Sequence, residues 1–368
     1  MKNLESIYER YAKLLTGYCL ELKEGDRLLI KTSTLAEPLL KEVYKYALEA
    51  GAIIEVDLDF AEKFRTLMLH GKDTQWKYVS PWYSNAMNTF DAYLNIRAPY
   101  NLREDSGLPK EALQSRSKAL DAVNKSYFTR IADRSLKRCL CQYPTQASAQ
   151  EAGMSLSEYE NFVYTACKLH LADPEAGWLA LGKEQQGIVD YLNKSNVIRY
   201  SGPNMDIQFR VKDRTWINSD GKSNMPSGEV FTAPIENSVN GVVKFSFPAI
   251  HGGNDVLGAR LWVKNGLIVK WEAEKGKEYL DHIFQIPGTR RFGEVAIGTN
   301  YEIQKITRNI LFDEKIGGSI HMAIGQSYLQ CGGKNKSSVH WDMISDMIDG
   351  GEIHADGELI YQNGKFLI

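Results

Sequence analysis

Apolar residues recur at helical spacing at Leu4, Ile7, Tyr8, Tyr11, Leu14 and Leu15, which predicts an amphipathic first helix. Arg27 to Lys31 is a short apolar run behind a Glu24-Gly25-Asp26 turn and reads as a strand. Ala36 to Ala50 reads as a helix stopped by Gly51, a residue suited to the left-handed turn past a helix end. Ala52 to Leu58 is the next strand, a helical stretch lies near Ser84 to Thr89, and Asp91 to Ile96 is a third strand. Lys110 to Ser126 is charged and helical, and Leu136 to Cys141 continues the strand series. Ser155 and Glu158 have capping-box spacing ahead of a helix with Leu156, Tyr159, Phe162, Val163 and Ala166 on one face. Gly182 to Asn193 is a further helix. Strands alternating with helices predict parallel βαβ units.

The texture changes after about Asn196. Val197 to Tyr200, Asp206 to Val211 and Gly241 to Phe247 read as strands, the last with Val243, Phe245 and Phe247 alternating with polar residues. Ala259 to Val263 and Leu267 to Glu272 flank Asn265-Gly266, a hairpin signal repeated at Asn363-Gly364. Short helices are expected near Glu278 to Asp281 and near Asn300 to Thr307. The fold class that follows is an α/β N-terminal domain with a mostly parallel sheet, over residues 1–190. An α+β C-terminal domain, rich in antiparallel strands and carrying the candidate metal site, covers residues 191–368.

Composition narrows the function. The 368 residues are 43% hydrophobic and 24% charged, with a formal net charge of -2. Nucleic acid is excluded as a main partner, because neutralising phosphates needs a basic surface. No apolar run reaches the roughly 18 residues that signal a membrane span, and the N-terminus lacks the apolar core of a signal peptide. Cys19, Cys139, Cys141, Cys167 and Cys331 are odd in number and scattered, which fits a reducing cytoplasm. Cys139 and Cys141 read as buried strand residues rather than a metal pair. No dinucleotide fingerprint, P-loop or nucleophile elbow occurs.

The densest set of ligand-type residues lies between Leu311 and Met343. His340 and Asp342 are two apart, so a strand points both to one face. His321 sits in Gly318 to Gly325, a short alternating run, and Tyr328 follows past a possible turn at Gly325. Upstream, Glu229 follows a glycine in a proline-flanked segment, and Glu294 follows Gly293 inside an apolar run. An unpaired carboxylate in an apolar strand costs several kcal/mol, and a bound cation offsets that cost. Imidazole and carboxylate together suit zinc, cobalt or manganese. Five such side chains are more than one four-coordinate ion takes from protein and match two ions sharing a carboxylate. Taken singly, each has an ordinary reading: a hydrogen-bonded histidine, a packed Tyr328, or a solvated turn at Glu314. His251, His354 and the Arg290-Arg291 pair read as structural, and Trp341 should face away from its neighbours His340 and Asp342.

Four segments in order, Pro226 to Pro234, Gly293 to Gly298, Glu314 to Tyr328 and Val339 to Met343, resemble the thermophilic metalloaminopeptidase family, the aminopeptidase T and S group. That resemblance implies two divalent ions (zinc, cobalt or magnesium) and removal of the N-terminal residue from a peptide substrate. It implies Glu229, Glu294, His321, His340 and Asp342 as ligands, with Glu294 the bridge, Tyr328 beside the metals and Glu314 near the site. It also implies a homodimer. The chain departs from the family pattern in a trimmed Cys331 to Ser338 connection, which leaves His321 and His340 nineteen residues apart. The expected roles are oxyanion stabilisation by Tyr328 and proton transfer by Glu314, with Glu294 essential. The competing readings are a mononuclear iron-dependent ring-cleaving dioxygenase on the same fold and a non-catalytic binding protein.

Overall fold

The computed structural model describes residues 5–368. Leu4, the first position of the expected N-terminal helix, lies outside them. The chain forms two compact units: residues 1–175 with 221–226, and residues 176–220 with 227–368. The expected cut at 190 falls instead inside helix Pro174–Leu192. That helix buries Ile188, Val189 and Leu192 in the core of the second unit, so its hydrophobic face carries it there.

The first unit is built on a parallel sheet. Strand β1 is Arg27–Ser33, β2 Ile53–Asp59, β3 Ala92–Arg97 and β4 Lys137–Gln142. Their order is β2-β1-β3-β4, closed by the short strand Asn224–Met225 beside β4. Leu28, Leu29 and Ile30 are buried in succession, as expected of a strand covered on both faces by helices. Helix Glu37–Glu49 ends before Gly51, which adopts φ +82. Helix Lys110–Ala132 runs longer than its sequence signal. Ser155 and Glu158 make the expected capping box. Helices Lys63–His70 and Asp73–Trp76 carry no sequence signal that the pattern reading used; both are short. Cys139 and Cys141 are buried with free thiols.

The second unit holds two antiparallel sheets and a small hairpin, Ala249–His251 with Asn254–Val256. The larger sheet has eight strands and includes the hairpin across Asn265-Gly266, where φ is +52 and +73. The smaller sheet has the order His340–Asp346, Ser319–Gly325, Phe292–Gly298, Glu229–Thr232, Ile217–Ser219. One face of this sheet joins a single apolar core shared with the larger sheet through Val295, Ile297, Ile320, Met322, Ile324, Trp341 and Met343. Trp341 therefore faces away from its polar neighbours, as alternation requires. Burying each such side chain stabilises the fold by about 1.5–3 kcal/mol. That is enough for the opposite face to tolerate several kcal/mol of carboxylate desolvation.

The helix expected over Asn300 to Thr307 is absent. Asn300 instead pairs with Ile316 across an isolated bridge, and its side-chain amide donates to Ser227 O at 2.9 Å. Those tertiary bonds outweigh a weak local preference. One helical turn follows at Ile310–Asp313, and the other expected helix is Lys277–Ile283.

Candidate metal centre

Register places the site. Glu294 and Asp342 both pair with Ala323, from opposite sides of strand Ser319–Gly325. His321 pairs with Ala296 and Ile344, and Ala296 pairs in turn with Phe231. Paired residues share a face and residues two apart along a strand share a face. Glu229, Glu294, His321, His340 and Asp342 therefore project from one side of four adjacent strands. Ala296 and Ala323 lie between them and leave room that larger side chains would fill.

A bulge aims Glu294. The register of strand Phe292–Gly298 slips between Phe292 and Glu294, making Gly293 the extra residue. A Cβ at Gly293 would lie 2.4 Å from Gln326 O and 2.6 Å from Gly325 O, so only glycine fits. The same Gln326 O lies 2.8 Å from His340 Nδ1. A carbonyl can only accept, so Nδ1 carries the proton and, in the neutral ring, Nε2 presents its lone pair to the site. Glu229 is held from behind: Gln185 Nε2 donates to Glu229 O at 2.9 Å, and to Asn218 Oδ1 and Ser219 O on the adjoining edge strand.

The side chains converge closely. His340 Nε2 is 3.0 Å from Glu294 Oε2 and 3.5 Å from Asp342 Oδ1. His321 Nε2 is 3.5 Å from Glu229 Oε2 and 3.6 Å from Glu294 Oε1. Donor atoms of Glu294, His340 and Asp342 lie within 4.8 Å of one another, and so do those of Glu314, His321 and Asp342. Glu314 is thus beside the cluster and not in a solvated turn. Tyr328 sets its ring edge-on to His340 at 5.0 Å and tilted against Phe231 at 5.4 Å, and remains 41% exposed. His251 and His354 lie apart: His251 bonds Tyr279, and His354 neighbours Glu352.

Lys315 is the residue that sequence reasoning missed. It is fully buried, 3.8 Å from Glu229 Oε1 and hydrogen-bonded to Glu314. The run Asp313-Glu314-Lys315 looks like surface in isolation; only the surrounding packing buries it. Gln185 was also missed, since a glutamine inside an amphipathic helix carries no signal of its partner.

Electrostatics show how crowded the cluster is. Burial pushes the Glu229 carboxyl up, with Lys315 and His321 opposing. Burial raises Glu314 to about 8, against the pull of Lys315. Burial also disfavours ionised Asp342, but His340 beside it wins and holds it at about 2. Burial would lower His321, yet Glu294 and Glu229 raise it to about 9. Four carboxylates face one ammonium here. Glu229 Oε2, His340 Nε2, Asp342 Oδ1 and His321 Nδ1 are buried without a well-formed hydrogen bond. Buried polar atoms are ordinarily satisfied. Orphaned carboxylate oxygens and an imidazole nitrogen with its lone pair turned inward are donors for a divalent cation, and the residues fit one.

An α/β unit joined to an antiparallel unit that gathers imidazoles and carboxylates on one buried sheet face defines a metalloenzyme. The family model described as thermophilic metalloprotease (M29) matches residues 4–366. The chain belongs to that family. Aminopeptidase 2 of Geobacillus stearothermophilus is 28% identical over 99% of this chain and 96% of its own length. Aminopeptidase PepS of Streptococcus thermophilus is 27% identical over the whole of both chains. Wild-type AmpT from Thermus thermophilus has the same fold, with a TM-score of 0.85 at 24% identity over 98% of this chain and 99% of that one. No relative here supports the dioxygenase alternative.

Proposed function

We propose that this metal-dependent aminopeptidase works with two divalent cations held by Glu229, Glu294, His321, His340 and Asp342. The observation that carries this reading is the convergence of all five side chains on one buried sheet face. Four carboxyl groups, Glu229, Glu294, Glu314 and Asp342, gather around the single ammonium of Lys315, a concentration of acidic groups that divalent cations would offset. Glu294 reaches both histidines, which suits the bridging role; Asp342 is common to both groups of converging donors. Zinc, cobalt and magnesium all suit imidazole and carboxylate donors to different degrees.

The ions supply Lewis-acid polarisation of the scissile carbonyl and acidify a water near neutral pH. The chain supplies the rest. Cations bound beside it would favour the ionised form of Glu314, and that carboxylate, at the cluster edge beside Lys315, would then take the proton and pass it to the leaving amine. The Tyr328 hydroxyl steadies the oxyanion that forms. The carboxylates bind the free α-amino group of the substrate, which restricts cleavage to the first residue. Lys315 holds Glu229 and Glu314 in place and lowers the cost of burying them.

Among the described residues no helix is long and apolar enough to cross a membrane. Five buried free cysteines support a cytoplasmic setting, and the family resemblance supports a homodimer. A panel of aminoacyl-anilides, assayed after chelation with and without added zinc or cobalt, tests the activity. Release of anilide should vanish on chelation and return with metal; anilide release unaffected by chelation would refute the reading.

A further inference from the structure

The parallel sheet of the first unit has an unassigned cleft at its carboxyl edge. From β1 the chain passes first to β2 on one side and later to β3 on the other, so the order reverses at β1. In open α/β sheets, ligands bind beyond the carboxyl ends of the strands at such a reversal. A cavity of about 1090 Å³ lies there, lined by the ends of β1, β2 and β3. It is slightly larger than the roughly 300–1,000 Å³ typical of ligand sites.

The lining decides the ligand class. Four basic side chains are matched by four acidic ones, so no net charge favours an anion. Within the lining, Lys31 and Lys63 face Asp57 and Asp59. Only Lys63 and Asp59 touch at 2.7 Å; the other three pairs stand 3.7 to 3.9 Å apart, beyond hydrogen-bond reach. Ammonium and carboxylate groups of a ligand could each find an opposite charge there. A phosphate has no cradle: the turn after β1 is Ser33-Thr34-Leu35 without glycine, and Ser33 Oγ already takes the Leu35 amide. Phe60, Tyr78 and Trp82 line the same cavity and are partly or largely exposed. Such aromatic surface in a cleft marks a site for apolar groups.

We propose that this cleft, whose lining includes none of the residues of the metal cluster, binds a short zwitterionic peptide with apolar side chains. The inference stands on the first unit alone and does not depend on the metal centre. Titration calorimetry on the chelated full chain, with the tripeptide Leu-Gly-Phe, tests it. Saturable binding of one peptide per chain is expected, at least about tenfold tighter than for the N-acetylated peptide, the C-amidated peptide or inorganic phosphate. Asp57→Asn and Trp82→Ala should each weaken it at least about tenfold. Trp82→Ala is at the surface and keeps the test valid should Asp57→Asn fail to fold. No saturable binding, binding untouched by Trp82→Ala in the folded chain, or phosphate binding as tightly as the peptide would overturn the proposal.

Discussion

Glu294→Gln should lower kcat/KM at least about a thousandfold, equal to roughly 4 kcal/mol of lost transition-state stabilisation. The exchange keeps the shape of the side chain and removes one charge. Glu294 stands within 3.0 Å of His340 and 3.6 Å of His321, so the carboxylate is shared between both halves of the cluster. If two cations are held as proposed, losing it would weaken both positions at once. Gln at 294 can still hydrogen-bond, so circular dichroism of the chelated variant should match chelated wild type. Added zinc should raise the melting temperature of wild type by mass action and raise that of the variant far less. Full activity with an unchanged zinc-induced rise would remove Glu294 from the site.

The second large effect belongs to a residue with no side chain. Gly293→Ala forces a Cβ to within 2.4 Å of Gln326 O, a backbone atom. Either strand Phe292–Gly298 or the turn after Gly325 must move. Both carry the site, since Glu294 follows Gly293 and Gln326 O fixes the His340 ring. A shift approaching 1 Å can cost about a hundredfold in rate, and overpacking costs about 1–3 kcal/mol. The expected result is a stable but depleted enzyme, with kcat/KM down about a hundredfold. Gly187→Ala is the control. Its Cβ meets open space in helix Pro174–Leu192, so it should leave activity alone and add about 0.5–1 kcal/mol of stability. Equal losses in both variants would show that Gly293 acts through general stability only.

The two glycine positions show what a sequence can and cannot reveal. Gly293-Glu294 in an apolar run was a visible anomaly, and the bulge explains it. The pairing of His340 with Asp342 was legible because strand parity is local. So was the outward turn of Trp341 into the core. Lys315 was not legible, because its burial comes from strands far away in sequence. The absent helix at Asn300 to Thr307 fails for the same reason: Asn300 spends its amide on Ser227. The return of Gly221–Pro226 to the first unit was invisible as well, since a two-residue strand beside β4 has no periodicity to read.

Metal content tests the account most directly. Chelated protein reloaded with zinc or cobalt, dialysed and analysed for bound metal should retain two ions per chain. Retention of only one ion per chain, or of none, would contradict it.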